Sequence, residues 1–121
     1  MTKRILVIED TEDNRQIIRD LLTSAGYDIV EAVTGEEGVA MAAKHRPDPI
    51  LMDMQLPVLD GYEATRRIKA DPDLKSIPII VVTSYALSGD EDKARLAGCD
   101  DYVAKPFSPR QLLAIVREFV G

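Results

Sequence analysis

The chain has 121 residues, of which 45% are hydrophobic and 30% charged, with a formal net charge of -6. That length suits one domain with a real core and is short for two. The acidic balance disfavours a basic nucleic-acid surface, which needs clustered Lys and Arg, and the lone Cys99 excludes both an internal disulfide and a multi-cysteine zinc site.

Ile5-Leu6-Val7-Ile8 opens the chain's pattern. A continuous, β-branched apolar run without alternation reads as a strand buried on both faces. It is too short for a signal peptide or a membrane span. With the single cysteine, this leads us to expect a cytoplasmic protein of a reducing compartment, not attached to a membrane. Next, Ile17, Ile18, Leu21, Leu22 and Ala25 are expected to share a helical face, with Gly26 as its C-terminal stop. The mixed run Ile29-Val30-Glu31-Ala32-Val33 reads as an edge strand. Thr34-Gly35-Glu36-Glu37 then fits a capping box at a helix start. His45, near that helix's end, reads as a surface residue near the negative helix terminus.

Ile50-Leu51-Met52 is a third strand, preceded by Pro49, which a strand tolerates at its start. Asp60-Gly61-Tyr62-Glu63 opens a third helix. Ile79-Ile80-Val81-Val82 is a fourth strand, and Ser88-Gly89-Asp90-Glu91 a second capping box. Cys99 follows Gly98 in a turn and reads as a small buried residue. Tyr102-Val103-Ala104 is a weaker fifth strand. Ser108-Pro109-Arg110-Gln111 caps the last helix, with Pro at its first position. Five strands thus alternate with five helices. This predicts an α/β fold with a parallel sheet, right-handed crossovers and helices on both faces. A single domain is expected over residues 1–121.

The polar residues that interrupt the pattern fall at strand ends. Glu9 and Asp10 follow the first strand, Asp53 ends the third, Thr83 the fourth, and Lys105 follows the fifth. In open parallel sheets, ligands bind outside the carboxyl edge. Three carboxylates, a hydroxyl and an ammonium are therefore expected in one place. The carboxylates repel one another, and a hard divalent cation with Lys105 would compensate. Mg²⁺ suits such a set, since calcium-loop spacing is absent. Asp53 is the candidate nucleophile for a phosphoryl group. Lys105 and the cation would neutralise the transferring group, and Thr83 would donate to it. A fifth strand two places from the third lies roughly 10 Å away, a gap that a Lys side chain largely spans.

Ile8-Glu9-Asp10, Leu51 to Gly61 (reading LMDMQLPVLDG), Val82-Thr83-Ser84 and Lys105-Pro106-Phe107 together resemble the response regulator receiver domain of the CheY-like superfamily. The segments Ala86 to Glu91 and Ala97 to Asp100 are closer in character to DivK-type single-domain regulators and hybrid-kinase receivers. The resemblance covers nearly the whole chain. It implies a flavodoxin-like sheet of order 2-1-3-4-5 and a role in two-component phosphorelay signalling. It also implies that Asp53 accepts phosphate from a histidine kinase or histidine phosphotransfer protein. Asp10, Asp53 and the Gln55 backbone carbonyl would bind Mg²⁺, with Mn²⁺ as a substitute, and Glu9 would help through a metal-bound water. Thr83 and Lys105 would contact the phosphoryl oxygens, and Tyr102 would be the aromatic switch. The Lys105–Pro106 bond is expected to be cis. The output face would be the fourth helix, fifth strand and fifth helix, roughly residues 86–120, binding a partner protein or a second copy of the chain. No nucleic-acid contact is expected.

This sequence departs from the family pattern in a few places. Glu9 stands where Asp is frequent, Leu56 and Leu59 where Met is common, and Pro49 where an aliphatic residue is usual. Gln55 and Tyr85 occupy positions that vary. The chain would be a phosphoacceptor, not an enzyme, catalysing only its own phosphorylation and dephosphorylation. Alternatives are a receiver excised from a hybrid kinase and a Mg²⁺-dependent aspartate-nucleophile phosphatase. The latter carries a second Asp two residues after the nucleophile, where this chain has Gln55.

Overall fold

The structure, a computed structural model, describes residues 3–53, 61–83, 90–104 and 107–120. Its elements alternate strictly: β1 (Arg4–Ile8), α1 (Glu12–Ser24), β2 (Asp28–Ala32), α2 (Gly35–His45), β3 (Ile50–Asp53), α3 (Gly61–Ala70), β4 (Ile79–Thr83), α4 (Asp90–Ala97), β5 (Asp101–Ala104) and α5 (Pro109–Val120). The strands form one parallel sheet in the order β2-β1-β3-β4-β5. The expected doubly wound flavodoxin-like order is the one observed.

Two core clusters explain why the strand sequences lack alternation. Leu6, Ile8, Ile50, Met52, Ile79 and Val81 face one side, against Ala42 of α2 and Ala64 and Ile68 of α3. Ile5, Val7, Leu51, Ile80, Val82 and Val103 face the other, against Ile18 and Leu22 of α1 and Leu112 and Val116 of α5. Successive side chains point to opposite faces, so a strand covered on both sides is apolar at every position. β2 carries the mixed sequence because it lies at the edge and only Ala32 is fully buried.

One helical expectation is corrected. Ile17 is 60% exposed, whereas Ile18 and Leu22 are buried. The stripe of α1 that meets the sheet runs through Ile18, Leu21 and Leu22. Ile17 lies about 100° around the helix from Ile18 and faces away from that core.

The terminal signals act largely as expected. Glu37 N–H donates to Thr34 Oγ1 (3.1 Å), and Glu37 Oε1 accepts from Val33 N–H (3.1 Å), one residue earlier than in the usual capping box. Gln111 N–H donates to Ser108 Oγ (3.0 Å). Gly26, at φ 95°, follows α1. The Ser88 cap and the helix-opening Asp60 lie outside the described residues. Pro49 precedes β3, and its carbonyl accepts from Leu6 N–H (3.2 Å). Cys99 is buried in the first cluster, and His45 closes α2.

Two further contacts fix the layers. α2 crosses β1 so closely that a Cβ on Gly38 would lie 2.4 Å from Ile8 Cδ1. At the edge of the sheet where the strands begin, Lys69 Nζ donates to the Lys75 and Ile77 carbonyls and to Asp100 Oδ2, at 3.1, 2.9 and 2.8 Å. Asp100 Oδ2 also accepts from Ile79 N–H (2.8 Å), so one ammonium ties α3, the turn before β4 and the turn before β5. Gly98 makes room for this: it sits at φ 111°, and a Cβ there would approach Lys69 Cγ to 2.9 Å.

Candidate functional site

Parallel pairing aligns the strand ends. Ile8 is in register with Met52, and Asp53 with Val82. Carrying the β1–β3 register one step further sets Glu9 beside Asp53. Thr83 pairs with Ala104, the residue before Lys105. All these positions lie on the carboxyl edge, as topology requires of a ligand site in this sheet type.

Glu9, Asp10 and Asp53 each offer a carboxylate oxygen within 4.8 Å of the others. Glu9 and Asp53 are 3% and 4% exposed, and Asp10 faces solvent. Two carboxylates withdrawn from water and held close are costly unless hydrogen-bonded or paired with a cation. The donor set is entirely oxygen and anionic, without His or Cys. It matches a hard divalent cation and fits Mg²⁺ in particular, which is held by one or two carboxylates with water filling the remaining positions.

The start of α1 shapes this corner. Thr11 N–H and Asn14 Nδ2 both donate to Glu9 Oε1, at 3.3 and 3.2 Å. Glu9 N–H donates to the Ala32 carbonyl of β2 (3.0 Å). Arg15 Nη1 donates to the Glu9 carbonyl (2.8 Å). Arg15 is itself paired with Glu12, and through Nε with Glu31 of β2 at 3.3 Å. Arg19 joins Glu31 at 2.8 Å and Glu12 at 3.4 Å. The hydrogen bond from Arg15, and then that from Arg19, holds the Glu12 carboxyl below its usual range. The hydrogen bonds that Arg19 donates to Glu31, and then to Glu12, raise Arg19 above its own.

The sequence-derived residues divide into two groups. Glu9, Asp10 and Asp53 are brought together. Thr83 is at the end of β4, though its side chain lies outside the described residues; Lys105, Gln55, Tyr85 and the Lys105–Pro106 bond lie outside them altogether. Tyr102, on β5 in register with Val81, is half-buried against the first core cluster. Asn14 and Arg15 were not legible as site residues. The available signal was two polar side chains in the first turns after an acid pair. Nothing in the sequence said that Arg15 would reach back to a carbonyl or across to Glu31.

The chain is similar to known proteins over nearly its whole length. The sequence profile of the response regulator receiver domain matches residues 5–117. The polar-differentiation response regulators DivK of Brucella ovis and Brucella anthropi are each 40% identical over 121 residues, covering 100% of this chain and 98% of theirs. The receiver domain of a Pseudomonas aeruginosa sensor histidine kinase, solved with magnesium in its active-site cleft, is 41% identical. It superposes with a TM-score of 0.94 over 100% of this chain and 99% of its own. The Vibrio cholerae chemotaxis protein CheY4 is 28% identical, with a TM-score of 0.93 over 99% and 100% of the two chains.

Proposed function

The chain belongs to the response regulator receiver domain family of two-component signal transduction, and on that footing we propose that it is switched by Mg²⁺-dependent phosphorylation of Asp53. The observation that carries this reading is the pair of buried carboxylates, Glu9 and Asp53, grouped with Asp10 at the carboxyl edge of the sheet. The phosphoryl donor is a phosphohistidine on a histidine kinase or a phosphotransfer protein. An Asp53 carboxylate oxygen forms the new O–P bond as the N–P bond breaks, and the departing imidazole keeps the electron pair and takes up a proton.

Asp10, Asp53 and the Gln55 carbonyl would hold the ion directly and Glu9 through water. Mg²⁺ is the expected species and Mn²⁺ a workable replacement. When bound, the cation neutralises charge on the phosphoryl oxygens. Lys105 adds a second positive charge there and Thr83 a hydrogen bond, so both strand ends are drawn toward a phosphorylated Asp53. Tyr102, next along the sheet from β4, would follow that movement.

In this reading the domain is a phosphoacceptor whose only catalysis is on itself. Its output is a protein partner, or a second copy of the chain, on the α4–β5–α5 face. Nucleic acid and membrane play no part in it. Similarity to both DivK regulators and a sensor-kinase receiver supports the same chemistry in either setting, a free-standing regulator or a hybrid-kinase module.

Intact mass measurement after incubation with a small phosphodonor and Mg²⁺ tests the proposal. One phosphoryl mass should appear, and neither the Asp53→Asn variant nor a sample with excess chelator should acquire it. Full labelling of Asp53→Asn would overturn the assignment.

A further inference from the structure

The three guanidinium nitrogens of Arg15 go to three different parts of the fold. Nη1 donates to the Glu9 carbonyl at the end of β1, Nε meets Glu31 of β2, and Nη2 meets Glu12 of α1. The side chain is only 11% exposed, so these partners hold it in one place. An exposed ion pair contributes little by its charge alone. This group instead spans the edge strand, the first helix and the acidic corner.

The Glu9 carbonyl belongs to the peptide plane that joins Glu9 to Asp10. Holding that oxygen restrains the plane, and with it the Cα positions from which both side chains depart. The same residue is held through its N–H by Ala32 and through Oε1 by Thr11 and Asn14. Of these partners, Arg15 alone ties the acid pair to both α1 and β2 by side-chain charge. Its planar fork presents donors in set directions that a lysine ammonium cannot reproduce.

We propose that Arg15 is a positioning residue for the acidic site, setting the Glu9–Asp10 peptide so that the carboxylates converge on a divalent cation. The inference rests on the reading of the cluster as a Mg²⁺ site. It has a sign that separates it from simple electrostatics. Removing a positive charge beside a cation site should by Coulomb's law tighten cation binding, whereas loss of positioning should weaken it. Groups that orient metal ligands typically contribute 10–100-fold in metal affinity.

The test is Mg²⁺ titration of the full chain by amide NMR, paired with thermal unfolding in chelator and in saturating Mg²⁺, for the wild type, Arg15→Ala and Arg15→Lys. Both variants should bind Mg²⁺ roughly 10-fold or more weakly. The Mg²⁺-dependent rise in midpoint should shrink accordingly. A purely structural role would lower the midpoint in chelator and leave the Mg²⁺ affinity unchanged, and that outcome overturns the proposal. Tighter binding in Arg15→Ala overturns it too. If Arg15→Ala does not fold, Arg15→Lys decides, because it keeps the charge and most of the stem. Wild-type protein that shows no Mg²⁺ response removes the metal reading itself, a result distinct from variants that bind as well as the wild type.

Discussion

Glu9 and Asp53 stand side by side at the ends of β1 and β3, both almost wholly withdrawn from solvent, with carboxylate oxygens no more than 4.8 Å apart. At an effective dielectric constant of about 20, two unit charges at that separation repel by roughly 3 kcal/mol. The donors from Thr11 and Asn14 offset part of this. The site is thus held together against its own charge.

Neutralising one partner should therefore stabilise the metal-free protein. Asp53→Asn is expected to gain roughly 1–3 kcal/mol in chelator and to lose the stabilisation that Mg²⁺ gives the wild type. Asp10→Ala should also lose Mg²⁺ binding, with a smaller gain because Asp10 is exposed. Chemical denaturation with and without Mg²⁺ measures both, and a metal-free Asp53→Asn protein less stable than wild type contradicts the repulsion argument.

Phosphorylation should be read out on the far strands. With a beryllofluoride mimic, amide shifts are expected to change from Ala86 to Val120, including Tyr102. Changes confined to the surroundings of Asp53 and α1 would place the output elsewhere. A partner that reads this state should gain about 5–150-fold in affinity, the usual range of coupling between two sites.

Gly38→Ala should destabilise the fold, although Ala favours helix by about 1 kcal/mol over Gly. The added methyl meets Ile8 at 2.4 Å in a filled core, and overpacking of this kind costs about 1–3 kcal/mol. Ile8→Val removes the nearest atom, so the double variant should lose less than the two single losses added together. Strict additivity in urea denaturation would show that the two do not share the contact.

Arg46, the cap that follows α2, has φ 45° and ψ 63°, the left-handed region. Arg46→Gly should stabilise by about 1 kcal/mol, since Gly adopts this conformation without the Cβ clash. A lower unfolding midpoint in the variant would indicate that the arginine side chain outweighs the strain.

Glu12 contributes to acid sensitivity with a definite sign. Its carboxyl is held below the ordinary value of 4.5, first by Arg15 and then by Arg19. Because the folded-state value is the lower one, the contribution is fully present above the ordinary value and is lost as pH falls from there through the folded-state value. Glu12→Gln should flatten the decline of stability below pH 4.5 and leave the slope above it unchanged. Because the group is exposed, the difference should fade in high salt. An identical acid limb in wild type and variant would show that the pair does not act in solution.

Much of this was legible in the chain because the strands at its centre are covered on both sides. Ile5 to Ile8 and Ile79 to Val82 read as interior strands, which set the residues after them at the carboxyl edge. The acidic cluster followed from that placement. Ile17 departs from the expected core face because apolar identity does not reveal which side of a helix meets the sheet when neighbouring positions are both apolar. Arg15 was hidden for a different reason. Its partners Glu9 and Glu31 lie 6 and 16 positions away, one just after β1 and one on β2, and the adjacency of those strands is a property of the folded sheet.

The lysine clasp at the opposite edge has a mechanical consequence. Lys69 and Asp100 rivet the starts of β4 and β5 to the end of α3, while the carboxyl ends of those strands stand a strand's length away, about 15 Å. Ribs fastened more firmly at one end give most at the other. If Asp53 is phosphorylated as proposed, a pull on Thr83 or Lys105 would fan the two strands about a fixed heel, most at the carboxyl edge and least at Asp100, and would tilt the helices leaning on them while the base of the domain stays still.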